Sequence, residues 1–295
     1  MAQGNEADGR IAELVENILA ETPLKAASFI VTIYGDVVEP RGGVVWIGNL
    51  IDTCAAVGIS ETLVRTAVSR LVAAGQLLGE REGRRSYYRL SKAAGSDFAA
   101  AARIIFGGPQ AESWQLVHLR GADAEERMQS LERAGYARLD PRLAIGPARE
   151  VPGSADVLML RADSPDPKAL AAFVDAYWDL APHAAAYHRF LAQFALAARL
   201  AETSPFTPAA ALTMRLLLIH RFRTVLLHDP RLPAAALPKD WPGMEARRLF
   251  SAVYRLLSPL ADAHIGRTFV SGAGPLFAIT GETEGRLALL ETQAA

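Results

Sequence analysis

A short turn between two helical patterns constrains the N-terminal third of this chain more than any other feature. The apolar spacing predicts one helix over Trp46 to Val57 and a second after Ser60, with Gly58 at the sharp turn between them. Ser60 is a residue type that caps helices, and Glu61 in the first turn favours the helix dipole. The second helix is predicted to stop at Gly75. Two helices joined in this way are typical of a helix-turn-helix.

An arginine-rich hairpin is predicted to follow these helices. Two short strands, Leu77 to Arg81 and Arg84 to Leu90, are joined through Glu82-Gly83, which is a hairpin turn signal. Between Ser60 and Lys92 the chain has seven basic and three acidic residues, a local charge of +4, whereas the whole chain has a net charge of −1. The pattern predicts a winged helix-turn-helix domain over residues 1–92.

The second helix of the pair is predicted to turn its polar side towards DNA, with Leu63, Ala67 and Leu71 facing the core. Arginine can bond two acceptors of a guanine edge, hydroxyl groups can reach bases or phosphates, and hairpin arginines can neutralise phosphates. The predicted DNA-binding residues are Thr62, Arg65, Thr66, Ser69, Arg70, Arg81, Arg84, Arg85, Tyr87 and Arg89. Because Tyr87 and Tyr88 alternate on a strand, one of them is expected in the core. The alternative interpretations are a solvated charged face and a protein-interaction module.

The remainder of the chain changes its periodicity several times. We expect a linker helix over 93–110, an α+β unit over 111–180, a helical C-terminal domain over 181–266 and a loosely packed tail over 267–295. In the α+β unit, the order β-α-β-β-α-(β), with one strand over Ala155 to Leu160, is compatible with a ferredoxin-like fold. The predicted fold class is therefore α+β and multidomain.

Composition narrows the function classes. Cys54 is the single cysteine, so an intramolecular disulfide and a cysteine-rich zinc site are both excluded. The acidic N-terminal segment and the shortness of the apolar runs predict a cytoplasmic protein without a membrane-spanning segment. No Gly-x-Ser-x-Gly, phosphate-loop or His-Glu-x-x-His motif occurs. We therefore expect no enzyme, no metal site and no cofactor.

Two separate blocks of the sequence resemble the PaaX family, the repressors of bacterial phenylacetic acid catabolism. The first block consists of RTAVSRL at 65–71, Gly75 and GRRSYYRL at 83–90. The second block consists of LIHRFR at 218–223, LHDPRLP at 227–233 and LPKDWPG at 237–243. The blocks occur in the order of the family, and the resemblance covers most of residues 24–265.

The resemblance implies an N-terminal winged helix, a central domain similar to the ferredoxin-like fold of the CRISPR protein Cas2, and a helical C-terminal domain. It also implies a homodimer that binds a double-stranded DNA operator and represses genes of aromatic catabolism. Release from the operator by an aryl-acyl coenzyme A such as phenylacetyl-coenzyme A is implied as well. The family usually has arginine at the position of His228.

A polar cluster in the second block is a candidate effector site. His220 and Arg223 lie one turn apart on a predicted helix, near an aromatic-rich stripe. Arginine suits a phosphate, and aromatic surface suits a phenyl ring or adenine. The predicted effector-binding residues are Arg215, His220, Arg223 and Trp241. The alternative is a structural role, in which the basic residues form buried ion pairs with Asp229 and Asp240.

Two further functions remain as alternatives to the repressor. One is an acyl-coenzyme A-binding protein or enzyme that retains a vestigial winged helix. The other is a nucleic-acid-processing relative of Cas2. Metal-dependent cleavage requires a carboxylate near the end of the first strand of that domain. The segment Trp114 to Arg120 has no Asp or Glu, which opposes the nuclease interpretation.

Overall fold

A computed structural model describes residues 2–108, 113–149, 156–164, 166–203 and 206–292, with side chains from residue 11 onwards except 201–203. The chain combines helices with several β-sheets, so the α+β class is confirmed. It forms two compact units: unit 1 is Met1–Phe106, Phe190–Arg223 and Glu245–Ala295, and unit 2 is Gly107–Arg189 and Thr224–Met244. The predicted domain limits at 110 and 111 lie outside the described residues, and the five-part division stays a prediction.

Unit 1 begins with two helices that bury apolar stripes. Helix α1 spans Ala2–Glu21, and helix α2 spans Ala26–Ile33. The sequence predicts a single apolar helix up to Val38, but the last residues wind more loosely, as a π-helical turn over Tyr34–Val38. A 3₁₀ turn over Glu39–Arg41 then ends the helical segment. Described helices of both units are too short or too polar to cross a membrane.

The two helices and the hairpin that the sequence predicts after residue 45 are present with nearly the predicted limits. Helix α3 spans Ile47–Ala55 and α4 spans Glu61–Ala73. Strands β2, Leu77–Glu82, and β3, Arg85–Leu90, form the hairpin. A short strand β1, Val44–Trp46, pairs antiparallel with β3 and gives the sheet order β1-β3-β2. We did not predict β1, because its three apolar residues continue the apolar pattern of α3.

The buried face of α4 differs by one position from the prediction. Ala67 and Leu71 are buried as expected, but Leu63 is 55% exposed. Its place in the core is taken by Val64, which is fully buried. With Val68, which is also expected in the core and is 2% exposed, the stripe follows the i, i+3, i+4, i+7 spacing of a helix. Val72, expected in the same stripe, is 39% exposed, so the predictions for Leu63 and Val72 were wrong.

The helical part of unit 1 is built around an unusually apolar helix. Helix α5 spans Lys92–Phe106, and α10 spans Gly243–Thr268. Helices α8, Ala181–Thr203, and α9, Pro208–His228, contain residues of both units. Within unit 1, six large apolar residues of α9 are buried around its circumference: Met214, Leu216, Leu217, Leu218, Ile219 and Phe222. A helix that is apolar all round has to lie inside a core.

The last segment of unit 1 is ordered and packed, so the prediction of a loosely packed tail was wrong. Strands β8, Val270–Ser271, and β9, Gly274–Pro275, form a small hairpin. Helix α11, Gly281–Thr292, follows it. Leu290 is fully buried, and the Arg286 guanidinium donates to the carbonyl of Gly35 at 2.8 Å. This segment is rich in glycine and threonine, which is why the sequence analysis predicts loose packing for it.

Unit 2 contains a four-stranded antiparallel sheet between helices. Its strands are β4, Trp114–Leu119, β5, Ala137–Asp140, β6, Leu143–Pro147, and β7, Val157–Ala162, in the order β5-β6-β4-β7. Helix α6, Ala124–Arg133, packs Met128 and Leu131 against Val117 and Leu119 on one face. Helix α7, Pro167–Tyr177, packs Leu170 and Val174 around Trp114 on the other. Side chains of β4 therefore pack into two hydrophobic clusters, one on each face of the sheet.

The order of elements in unit 2 is β-α-β-β-β-α, not the predicted β-α-β-β-α-(β). The predicted strand or loop over Tyr136 to Ile145 is a hairpin of two strands, and β7 completes the sheet before α7 begins. The predicted strand after α7 was wrong, because the chain continues directly into α8. Ala155, where we placed the start of β7, lies outside the described residues.

Four buried charges form a network in the core of unit 1. The Arg215 guanidinium donates from Nε to Asp36 Oδ2 at 3.0 Å and from Nη1 to Asp262 Oδ1 at 2.7 Å. Arg41 Nη2 reaches the same Asp262 oxygen at 2.6 Å, and the Tyr254 hydroxyl donates to Asp36 at 2.7 Å. Burial opposes the charged form of Arg215, but the carboxylates raise its pKa above the usual value. The network is therefore charged and mutually compensated.

Replacing Asp262 tests this network. Asp262→Asn leaves two buried guanidinium groups to share Asp36, so the free energy of unfolding should fall by about 3–5 kcal/mol. Glu291→Gln is the matched control, because Glu291 pairs with Arg255 at 2.8 Å on the surface. That change should cost less than about 1 kcal/mol. Urea unfolding of both variants gives the comparison, and equal losses would contradict a special role for the buried pair.

Candidate nucleic-acid interface

The turn before α4 sets the direction of this helix. Ser60 has extended backbone angles, and its hydroxyl oxygen accepts from the backbone N–H of Leu63 at 3.5 Å, which confirms the predicted N-cap. Gly58, with φ of 77°, supplies the left-handed residue that the preceding turn requires. Since Val64 and its stripe hold the other side in the core, the polar side of α4 faces away from the unit.

The predicted arginines all reach the surface. On α4 the predicted residues Thr62, Arg65, Thr66, Ser69 and Arg70 are exposed. On the hairpin the predicted arginines Arg81, Arg84, Arg85 and Arg89 are exposed too. Gly83, with φ of 59°, makes the turn between the strands that carry them. The structure therefore presents a basic hairpin and a polar helix face within one compact unit.

Tyr87 is a correction to the predicted surface. It lies on the central strand of the three-stranded sheet, opposite Trp46 on β1 and Glu80 on β2, and only 8% of it is exposed. A side chain in that position has no access to a duplex. Tyr88, one residue on, is half-buried on the opposite face and packs against Gly79. The alternation of the strand assigns the core role to Tyr87.

Helix α4 and the hairpin enclose a polar cleft of about 410 Å³. Arg65 and Ser69 line it from the helix, and Arg81, Ser86 and Tyr88 line it from the hairpin. Of the predicted DNA-binding residues, Arg65, Ser69 and Arg81 thus border one concave surface, whereas the others do not line it. Tyr88 was missed as a lining residue, although its aromatic ring offers the flat apolar surface on which a base or sugar could lie.

Two arginines of this surface have defined partners in the free protein. The Arg65 Nε donates to Glu61 Oε1 at 2.7 Å, in an exposed pair one helical turn apart. Such a pair is worth less than about 1 kcal/mol, so Arg65 can exchange it for a stronger acceptor. The Arg85 guanidinium lies 5.0 Å from the ring centre of Trp46, in a cation–π contact. Trp46 is a second residue that sequence reasoning missed.

Arg215, a predicted effector-binding residue, is only 1% exposed and belongs to the buried charge network. The alternative interpretation, in which this arginine forms buried ion pairs, is correct for the type of contact. Its acidic partners are Asp36 and Asp262, however, and not the predicted Asp229 and Asp240. A guanidinium held by two carboxylates inside the core is not accessible to a phosphate group.

His220 and Arg223 connect α9 to α2. The His220 Nδ1 is 2.7 Å from the Thr32 hydroxyl, and Arg223 donates to the same hydroxyl at 3.0 Å and to the Ser28 carbonyl at 3.0 Å. Burial, with Arg223 and Arg221 nearby, lowers the pKa of His220 to about 3. The imidazole is therefore neutral near pH 7. These contacts give both residues a structural role within unit 1.

Trp241, the fourth predicted effector residue, lies in unit 2. Its ring stands edge-on to Tyr187, with 5.8 Å between the ring centres. The Tyr187 hydroxyl donates to Asp229 at 2.6 Å, so this acid has a tyrosine as its partner in place of the predicted arginine. Nothing in these contacts points to a bound acyl group, and the location of the effector stays a prediction.

The described residues offer little for metal or thiol chemistry. No group of three or more His, Cys, Asp or Glu side chains among them is arranged to hold a metal ion. Cys54 is buried, and burial raises the pKa of its thiol to about 12, so the thiol is protonated at neutral pH. From the sequence we expect Cys54 to be a small packed residue and not a redox sensor, and its buried environment fits that expectation.

Comparison with known proteins identifies the family of this chain. A family model described as PaaX-like protein matches residues 25–94, and another described as PaaX-like protein C-terminal domain matches residues 178–267. The chain is 31% identical over 293 residues to the transcriptional repressor PaaX of Escherichia coli (strain K12), covering 90% of this chain and 91% of that protein. Uncharacterized protein Rv0674 from Mycobacterium tuberculosis has a similar fold, with a TM-score of 0.51 and 23% identity, covering 81% of this chain and 98% of that one. This chain belongs to the PaaX family of proteins.

Proposed function

We propose that this protein is a cytoplasmic, DNA-binding transcriptional repressor and not an enzyme. The observation that carries the proposal is the exposed polar face of α4 beside the arginine-rich hairpin of β2 and β3. An α-helix fits the major groove of B-DNA, where each base pair presents a distinct pattern of donors and acceptors. The similarity to a transcriptional repressor over most of both chains supports the same function.

We assign the roles of a winged helix to these elements. Helices α2, α3 and α4 are the three helices, α4 is the recognition helix, and the β2–β3 hairpin is the wing. In unit 2, the strand order β5-β6-β4-β7 is that of a ferredoxin-like sheet, although β7 precedes α7. We propose that this sheet is the Cas2-like central domain, with residues 1–92 as the DNA-binding domain and 181–266 as the helical C-terminal domain.

The proposed repressor is a homodimer on a two-fold symmetric operator. Each protomer places one α4 in a major groove, so the operator is an inverted repeat whose half-sites are one or more helical turns apart. Two half-sites read together give the affinity that a single short helix does not reach. The protein needs no cofactor for this function, since hydrogen bonds and phosphate contacts supply the binding energy.

The genes it controls are proposed to be those of aromatic catabolism, with an aryl-acyl coenzyme A such as phenylacetyl-coenzyme A as the effector. The support for this is the family membership. The effector can release DNA only to the extent that it binds the DNA-incompetent conformation better than the competent one. A tenfold loss of operator affinity corresponds to about 1.4 kcal/mol of such a difference.

Arg65→Ala tests the recognition helix. The variant loses the guanidinium that borders the cleft and can bond a guanine edge, so operator binding should weaken by about 1–3 kcal/mol and base preference should relax at one position. Binding to a panel of operators with single base changes measures both effects. Glu61→Gln is the control, because it removes the charge beside Arg65 while leaving the arginine in place, so the base preference should be kept. An unchanged base preference in Arg65→Ala would contradict the role of α4.

Arg84→Ala and Arg85→Ala test the wing. Both arginines are exposed at the turn of the hairpin, so their loss should weaken binding to all sequences equally. Each phosphate contact removed should reduce the slope of log affinity against log salt by about 0.9. Gel-shift titrations at about 50 and 200 mM salt give the slope. Arg248→Ala, which removes one exposed positive charge from α10, is the control outside the wing, and affinity unchanged in both wing variants would remove the wing from the interface.

Calorimetry with three compounds tests the effector. We expect phenylacetyl-coenzyme A to bind and to lower operator affinity, and free phenylacetate and free coenzyme A to do neither. The reason is that both the aryl group and the nucleotide part are needed for affinity. No heat with the thioester would contradict the proposed effector. Thioester binding or turnover by a protein without operator affinity would favour the acyl-coenzyme A-binding alternative.

A further inference from the structure

The segment that follows α10 is held firmly against the DNA-binding part of unit 1. Asn49, a buried residue of α3, donates from Nδ2 to the carbonyl of Thr268 at 2.8 Å and accepts at Oδ1 from the N–H of Val270 at 2.9 Å. Both functions of its side-chain amide are therefore used to fix the start of the β8–β9 hairpin. The two family models end at residues 94 and 267, so this hairpin lies outside both of them.

The other end of the hairpin is fixed as well. Arg41 donates to the carbonyls of Phe277 at 3.0 Å and Ala278 at 3.1 Å, in addition to its bond with Asp262. The Thr280 hydroxyl donates to the carbonyl of Pro40 at 2.7 Å. These bonds join the segment to the residues just before β1. The position of the hairpin is therefore determined by the same element that leads into the helix-turn-helix.

The tip of the hairpin lies beside the turn of the β2–β3 wing. A Cβ atom on Gly272 would be 3.2 Å from the Glu82 carboxylate, and Glu82 is the last residue of β2 before the turn. The tip consists of the short residues Ser271 to Gly274, of which Gly272 and Ala273 are exposed. Short residues allow a backbone to approach another molecule closely. Arg267, exposed in the last turn of α10, adds a positive charge just before the hairpin.

We propose that the β8–β9 hairpin is a further DNA contact, whose tip meets the phosphate backbone of the same duplex that α4 and the wing bind. The inference rests on the proposed function, because it requires that the wing turn faces DNA. Backbone N–H groups of the exposed tip are suitable partners for phosphate oxygens, and the positive charge of Arg267, five residues before Gly272, opposes the negative charge that Glu82 brings to the tip. Contacts of this kind hold the register of the protein on DNA and are independent of base sequence. Asn49 acts as a positioning residue for the tip.

Charge changes at Ala273 test the proposal. Ala273→Lys should steepen the slope of log affinity against log salt by about 0.9 on a duplex of mixed sequence, so that the loss between 50 and 200 mM salt becomes about threefold larger. Ala273→Glu should weaken binding and make the slope shallower. Gly285→Lys and Gly285→Glu on α11 are the matched controls, because they bring the same charges to an exposed position with open space around it.

Three outcomes separate this proposal from the proposed function. Ala273 variants that differ from the Gly285 variants in the stated directions support the hairpin contact. Ala273 variants that behave like their Gly285 counterparts, while Arg84→Ala and Arg85→Ala still weaken binding, overturn the contact and leave the repressor intact. If the wild-type protein and all these variants lack DNA affinity, the proposed function itself fails.

The positioning role of Asn49 has its own measurement. Asn49→Ala removes the two hydrogen bonds that fix the start of the hairpin. In this background, Ala273→Lys should therefore steepen the salt slope less than it does in the wild-type background. Thr53→Ala on the same helix is the control, because its hydroxyl bonds only the carbonyl of Asn49. A full Ala273→Lys effect in the Asn49→Ala background would contradict the positioning role.

Discussion

The four buried charges of Asp36, Arg41, Arg215 and Asp262 are the interaction on which unit 1 depends. Each charge alone would cost several kcal/mol to remove from water, and only the complete set is compensated. Arg215 and Asp36 are separated by 179 residues, and Arg41 and Asp262 by 221. Segments far apart along the chain must therefore come together before either pair forms. The segment that leads into α3 and α4 is consequently anchored by residues from the C-terminal half of the sequence.

Local patterns predicted the elements whose structure is determined locally. The hairpin turn at Glu82-Gly83, the cap at Ser60 and the strand Trp114–Leu119 follow from signals within a few residues. The core side of α4 could not be fixed in the same way. A rotation of one position exchanges Leu63 for Val64, and only the packing against neighbouring helices decides between them. The tail misled for another reason: two of the three buried residues of α11, Thr283 and Arg286, are polar, so its packed face is not an apolar stripe.

The candidate interface was predictable where charge alone decides exposure, as for Arg84 and Arg85. It was not predictable where two neighbours compete for one buried place. Tyr87 is in the core because β1, which the sequence did not reveal, pairs with its strand and brings Trp46 opposite it. Arg215 shows a different limit. The sequence does not distinguish an arginine that binds a ligand from one that pairs with buried acids. The acidic partners of Arg215 are also far from it along the chain.

The Glu61–Arg65 pair has a consequence for how such a protein meets its site. The pair uses the Nε of Arg65, so Glu61 orients the guanidinium before any duplex is met. In the role proposed for Arg65, the terminal nitrogens would approach a guanine edge, which has two acceptors, without first breaking the pair. An arginine that is already oriented would lose less side-chain freedom on binding, which would favour sites that place a guanine within its reach.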